Sequence, residues 1–182
     1  TSSANVPLNT GSVVRKVKIL TSASLAGRIV RTSGNFVNSG PIPPVAEQKT
    51  TYTVIWSVDN TSNVVSNGVV TASLPPYVSW TGQISPAGEN ISYDKNSGVV
   101  TWNVGSIGAY SSGANGRREA QFQVSVEPSV DQIGTAPIIV NQASFTGTDT
   151  WTQSKVSSAQ GYLTTSFSTD PGFKSGDEIV AK

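Results

Sequence analysis

No Cys, no His and no Met occur in the 182 residues. Their absence removes the commonest general base, the usual soft metal ligands and the strongest nucleophile at neutral pH. Neither a Ser-His-Asp nor a Cys-His triad can be assembled, nor a zinc centre of the His/Cys kind. Charge is sparse as well, with Asp, Glu, Lys and Arg at 13% of the chain. The few acids form no recognisable pair for glycoside hydrolysis, and the glycines stand singly rather than in a phosphate-binding loop. The sequence therefore assigns no catalytic residue, no cofactor and no metal. The net charge of +1 gives no reason to expect a nucleic-acid partner. No apolar run is long enough to span a bilayer, so no membrane insertion by this chain is expected. A first residue of Thr1 rather than Met fits a removed N-terminal signal or an excised piece.

Thr, Ser, Val, Asn and Gly are plentiful, as in β-rich surface proteins. Without disulfides the stability must come from a packed core, and the length suits a single β domain over 1–182. Three segments alternate with period two. In Lys49–Val58, Tyr52, Val54, Trp56 and Val58 share the inward face, with Thr51, Thr53, Ile55 and Ser57 outward. In Arg118–Glu127, Ala120, Phe122, Val124 and Val126 point inward, while Glu119, Gln121, Gln123 and Ser125 point out. In Val99–Val104, Val100, Trp102 and Val104 alternate with Val99, Thr101 and Asn103. Further strands are expected at Ser12–Leu20, Ser24–Thr32, Gly68–Leu74, Tyr77–Thr81, Pro137–Thr146 and Gln160–Ser168. Turn chemistry separates them at Asp59–Asn63, at Pro75-Pro76 and at Lys95-Asn96-Ser97-Gly98. Roughly eight to ten short antiparallel strands at this spacing predict an all-β, immunoglobulin-like β-sandwich.

The stretch 37–46 (VNSGPIPPVA) is the best internal boundary, a stiff Pro-rich hinge through Pro41, Pro43 and Pro44. Before it, residues 1–36 either supply the first strands of the same sandwich, the preferred reading, or form an arm that pairs elsewhere. Charge is uneven across this boundary. Residues 1–50 hold six basic residues against Glu47 alone, a net +5, so the remainder carries −4. Solvated strand faces would explain that split, and so would head-to-tail contact between copies. In Val13–Leu20, Val13, Val17 and Ile19 lie with Arg15 on one face, and Val14 lies with Lys16 and Lys18 on the other. A donated assembly strand needs such a pattern, and so does an ordinary first strand.

From about Thr50 to Thr152, pieces of the chain occur in a familiar order: TYTVIWSVDNTSN, VVTASLPPYVSW, GVVTWNVGSIGA, AQFQVSV and IIVNQASFTGTD. In that order they resemble the extracellular Ig-like repeat domain of bacterial and archaeal cell-surface proteins. The resemblance implies a sandwich, export and a place on the cell envelope as spacer, adhesin segment or array element, with no catalytic residues. It does not reach the basic N-terminal segment or the tail after Thr152.

Trp56 and Trp102 belong to the core by their faces, whereas Trp80 and Trp151 near strand ends are candidates for stacking on sugars, against a competing reading of edge packing. The Ser168–Gly172 stretch with Asp177 and Glu178 is the best local place for calcium, against the reading of an Asp-stabilised turn. Lys18 or Lys49 with Asn141 and Glu119 would supply the residue types of a Lys–Asn isopeptide bond. Asn60-Thr61-Ser62 and Asn90-Ile91-Ser92 are N-glycosylation sequons. The leading functional expectation is a non-catalytic extracellular structural module: a spacer, or a subunit of a surface filament assembling by N-terminal strand addition. Its partners would be copies of itself, neighbouring surface domains or glycans. The alternatives are a carbohydrate-binding or adhesin module and, last, an enzyme with a carboxylate-based site.

Overall fold

The computed structural model describes residues 14–113 and 116–182. Its strands are β1 (Ala23–Val30), β2 (Thr50–Asn60), β3 (Val65–Ser73), β4 (Val78–Ser85), β5 (Ile91–Asp94), β6 (Val99–Ile107), β7 (Arg118–Val126), β8 (Ile138–Val140), β9 (Ala143–Asp149), β10 (Lys155–Gln160) and β11 (Leu163–Thr164). Two antiparallel sheets, ordered β1-β2-β7-β4 and β10-β9-β3-β6-β5, face each other as an immunoglobulin-like sandwich, and β8 pairs with β11 in a small separate ribbon.

The alternating segments build the interior. Tyr52, Val54, Trp56 and Val58 of β2 are fully buried, as are Ala120, Phe122, Val124 and Val126 of β7 beside them. Val100 and Trp102 of β6 and Phe145 of β9 close over them from the other sheet. Trp56 and Phe122 meet edge to face at 4.8 Å between ring centroids, a favoured aromatic geometry. At the β5–β6 hairpin, Gly98 takes φ +69°, and its N–H donates to the Asp94 carbonyl at 2.8 Å. Only a residue at ease in the left-handed region suits that corner.

Several expectations need correction. The outward residues Thr53, Ile55, Gln121 and Gln123 are buried rather than solvated. Residues 33–39 lie across that face: Asn35 N–H donates to Gln121 Oε1, and Gln123 Nε2 donates to the Val37 carbonyl and to Asn38 Oδ1. Asn38 also donates to Thr53 Oγ1. The face is polar because a main-chain segment covers it. The strand expected at Ser12–Leu20 is not formed over its described part, since residues 14–22 join no ladder; Val13 lies outside the described residues. The region Pro137–Thr146 splits into β8 and β9, and Gln160–Ser168 reduces to the two residues of β11. The short edge strands β5 and β10 were not expected.

Strand direction gives the sandwich two poles. Where β2 ends, Asn60 stands opposite Ala23, and the start of β3 stands opposite Asp149. Where β2 begins, Thr50 pairs with Val126, which also pairs with Val78 at the start of β4. We call these the Asn60 pole and the Thr50 pole. The eleven residues of β2 separate them by about 35 Å.

Candidate interaction surfaces at the two poles

At the Asn60 pole the chain comes in through Thr21, held by a buried polar cluster. Asp149 is fully buried and accepts from the backbone N–H groups of Thr21, Trp151 and Thr152 and from Asn63 Nδ2. Burial alone would raise its pKa; the hydrogen bonds to the ionised form outweigh that and hold the carboxyl below the usual carboxylate range. Asn60 Oδ1 accepts from Thr21 Oγ1 at 2.7 Å, and Asn60 Nδ2 donates to the carbonyls of Asn63 and Gly108. With its amide buried and engaged, the Asn60 sequon is not available to a glycan in the folded protein, whereas Asn90 is exposed.

Outside this cluster lies an apolar segment that is exposed among the described residues. Val14 is 81% exposed, Val17 83%, Ile19 70% and Leu20 50%, with Arg15, Lys16 and Lys18 among them. Its root is fixed: the Ile19 carbonyl accepts from Asn63 Nδ2, and Lys18 Nζ donates to the Trp151 carbonyl and sits 5.5 Å from the Trp151 ring.

At the Thr50 pole lie Val180 and Ala181. Val180 exchanges backbone hydrogen bonds with the Gly134–Thr135 turn, and Ala181 bridges the Pro44 and Ala46 backbone. Residues 37–46 are tied down further by the Arg31 guanidinium, which donates to the carbonyls of Ser39, Gly40 and Thr51. The tail after Thr152 packs back on the sandwich, burying Phe167 and Val180. Its anchor is Asp170, whose carboxylate accepts from the backbone N–H groups of Arg31, Thr32, Ser33 and Gly172 and from the hydroxyls of Thr32 and Ser33. Burial pushes this carboxyl up, yet the hydrogen bonds hold it below the usual range.

At Ser168–Gly172 the Asp170 carboxylate is engaged by main-chain N–H and hydroxyl donors, the bonding of an Asp-stabilised turn. Among the described residues no three Asp or Glu side chains gather as a metal site. The isopeptide candidates stand apart: Lys18 is on Trp151, Lys49 lies 3.8 Å from Glu127, Glu119 faces Arg28 at 4.0 Å, and Asn141 donates to Ser73 Oγ. No helix of the described chain is long and apolar enough to cross a membrane.

The two sides of the sandwich differ. Along the β1/β10 side, edge N–H groups of β1 are capped by side chains, Leu25 N–H by Ser158 Oγ and Gly27 N–H by Gln160 Oε1. On the other side β4 and β5 each pair with one neighbour only. Between them, at the Thr50 pole, opens a cleft of about 730 Å³. Leu74, Pro75, Val78, Trp80 and Tyr93 give it an apolar lining, and Lys95, Asn96 and Ser97 form its polar rim. Trp80 stacks on Tyr93 at 5.8 Å and leans on Phe122 at 5.1 Å, so it forms part of the wall. A second hollow, sharing Pro76 and Ser79 with the cleft, is lined by Glu47 and Glu127. Trp151 is 55% exposed at the opposite pole, so the two candidate stacking residues do not share a platform. On the same side of the sandwich, toward the Asn60 pole, Glu89 joins the sheets: it accepts from Trp102 Nε1 of β6 at 2.8 Å and from Arg118 Nη2 of β7 at 2.8 and 2.9 Å.

No protein-family model matches the sequence, and no curated protein matches it. Solved structures with similar courses of chain include the D312A variant of BcpA, the major pilin subunit of Bacillus cereus, at 13% identity and TM-score 0.46, covering 79% of this chain and 40% of that one. The major pilin SpaD of Corynebacterium diphtheriae matches at 9% identity and TM-score 0.45 over 79% of this chain and 34% of its own. A type I cohesin of ScaB from Pseudobacteroides cellulosolvens matches at 11% identity and TM-score 0.33, covering 88% and 92% of the two chains. The chain thus spans well under half the length of either pilin.

Proposed function

We propose that this chain is a non-catalytic structural module of the cell surface, a rigid spacer or array subunit that makes its contacts end to end. The observation that carries the reading is the anchoring of the sandwich at both of its poles. Thr21 and Ala181 lie at opposite poles of the sandwich, each fixed by main-chain hydrogen bonds. A sandwich pinned by main-chain bonds at both poles is rigid along its long axis, as a spacer requires. The ordered sequence resemblance over Thr50–Thr152 to extracellular Ig-like repeats supports a surface location.

Immunogold electron microscopy of intact source cells, with antibody against the folded domain, tests this reading. The expected label lies on the cell exterior, on filaments, stalks or a layer. Label that is seen only after permeabilisation would overturn it.

A further inference from the structure

We infer that the cleft between β4 and β5 receives the Val14–Leu20 segment of a second copy of this chain, so that copies join head to tail. The inference rests on the surface-module reading and names the contact that module would make.

Three observations converge on it. First, Val14, Val17, Ile19 and Leu20 are all at least half exposed, next to a root anchored at Thr21 and Ile19. Apolar side chains gathered this way and left in water mark a surface that has a partner. Second, β4 and β5 are the end strands of the two sheets on this side, and the cleft between them is walled by the half-buried Trp80 and Tyr93 over a floor of buried Leu74, Pro75 and Val78. An added strand would find there main-chain edge groups of β4 and the partly exposed rings of Trp80 and Tyr93 to pack on. Third, the charges match. Beyond Lys18, which is held on Trp151 of its own copy, the segment carries Arg15 and Lys16, and the hollow that shares Pro76 and Ser79 with the cleft is lined by Glu47 and Glu127. Lys49 lies 3.8 Å from Glu127, so the pair of acids is only half compensated locally. Lys95 is the cation on the cleft's own rim.

Reach excludes the same copy as donor. The seven residues from Val14 to Leu20 extend about 24 Å from Thr21, while the cleft sits at the far pole, about 35 Å away. A contact between two different patches is heterologous, so it propagates into an open chain of copies unless rotation closes it into a ring.

Disulfide trapping in the full chain tests this, and the absence of native Cys makes the trap clean. An Ile19→Cys copy is mixed with a Ser97→Cys copy under mild oxidation. As a control, Ile19→Cys is mixed with Ser112→Cys, which sits at the Asn60 pole. The first mixture is expected to give the 19–97 crosslink as its main product, and the control to give about a tenfold lower heterodimer yield. Glu47→Lys with Glu127→Lys on the acceptor should cut the 19–97 yield about tenfold, and Arg15→Glu with Lys16→Glu on the donor should restore it. Equal yields in the two mixtures, a predominant 19–19 product, or indifference to the charge reversal would overturn the inference. External immunogold label without the 19–97 crosslink would leave the spacer reading standing and remove this contact. The crosslink without external label would do the reverse.

Discussion

Asp170 is the place to test whether the tail is a working part of the sandwich. Its Oδ2 accepts the backbone N–H groups of Arg31, Thr32 and Ser33 at 2.7, 2.8 and 3.0 Å, and its Oδ1 accepts that of Gly172 at 2.9 Å. Asp170→Asn turns one oxygen into an NH2 group. The least damaging orientation puts that group at the Oδ1 position, where the Thr32 hydroxyl can rotate to accept from it. The Gly172 N–H then faces a donor and loses its partner, at a cost of about 1–3 kcal/mol. The bonds left on Oδ2 pass from charge-assisted to neutral and weaken by roughly half. Together these amount to about 3 kcal/mol. At an m-value of about 2 kcal/mol per molar urea, the unfolding midpoint should fall by about 1.5 M. Proteolytic sensitivity should rise in the 161–178 tail, where Phe167 is packed on Tyr52 with 6.2 Å between ring centroids. Asp94→Asn is the control: that carboxylate makes a similar local turn with Asn96 and Ser97 but stands exposed. An Asp170→Asn midpoint shift no larger than that of Asp94→Asn would refute the anchor.

The same chemistry sets the acid limit. Asp149 and Asp170 are held below the ordinary carboxyl range in the folded protein, so their contribution is complete above the unfolded value of about 4 and is lost as pH falls below it. Melting temperature should be level from pH 7 to 5 and drop steeply below 4, and an Asp149→Asn, Asp170→Asn double variant with an unchanged acid slope would count against this. Glu89→Ala strands the Trp102 indole N–H inside the wall and should cost about 2–3 kcal/mol in urea unfolding, more than Glu89→Gln, which keeps an acceptor; equal effects would mean that the indole bond is unimportant. Tyr52 Oη and Trp56 Nε1 are buried without a hydrogen-bond partner among the described residues. Tyr52→Phe should therefore be neutral within about 0.5 kcal/mol, and a loss near 1.5 kcal/mol would show that the hydroxyl is bonded after all.

The strands that were legible are those in which large apolar residues fall at every second position between turn residues. β2, β6 and β7 meet that condition, and their inward faces hold Trp56, Trp102 and Phe122 at the centre. β5 and β10 do not: ISYD is four residues long, and KVSSAQ buries Val156 alone. The polar residues of β10 show no apolar alternation because their partners are remote, Ser158 and Gln160 serving as caps for β1. The covered outer face of β2 and β7 failed for a related reason. Thr and Gln alternate in the same way whether they meet water or the main chain of residues 33–39. Asp170 was half legible, through the Asp-stabilised turn at Ser168–Gly172, and Asp149 was not singled out. Their short-range bonds to Trp151 and Gly172 follow from Asx-turn preferences, whereas those to Thr21 and to Arg31–Ser33 join segments more than a hundred residues apart.

The asymmetry of the sandwich edges gives the poles their meaning. An edge strand left bare invites pairing with any other chain, and folded proteins usually block it. Here one side is blocked by specific side-chain bonds, with Ser158 and Gln160 on β1 and Asp170 at the end of that strand. On β4 a side-chain bond of this kind reaches only the Gln83 N–H, from Thr81 within the same strand, and the regular stretch at Val78–Trp80 ends where the register breaks between Trp80 and Ile84, so the regular edge is short and confined to the Thr50 pole. An edge of that length holds a strand of only a few residues weakly by main-chain bonds alone. Specificity must then come from the apolar hollow beside Trp80 and from charge at Glu47 and Glu127, which is why the charge-reversal arm of the crosslinking experiment discriminates more sharply than the crosslink itself.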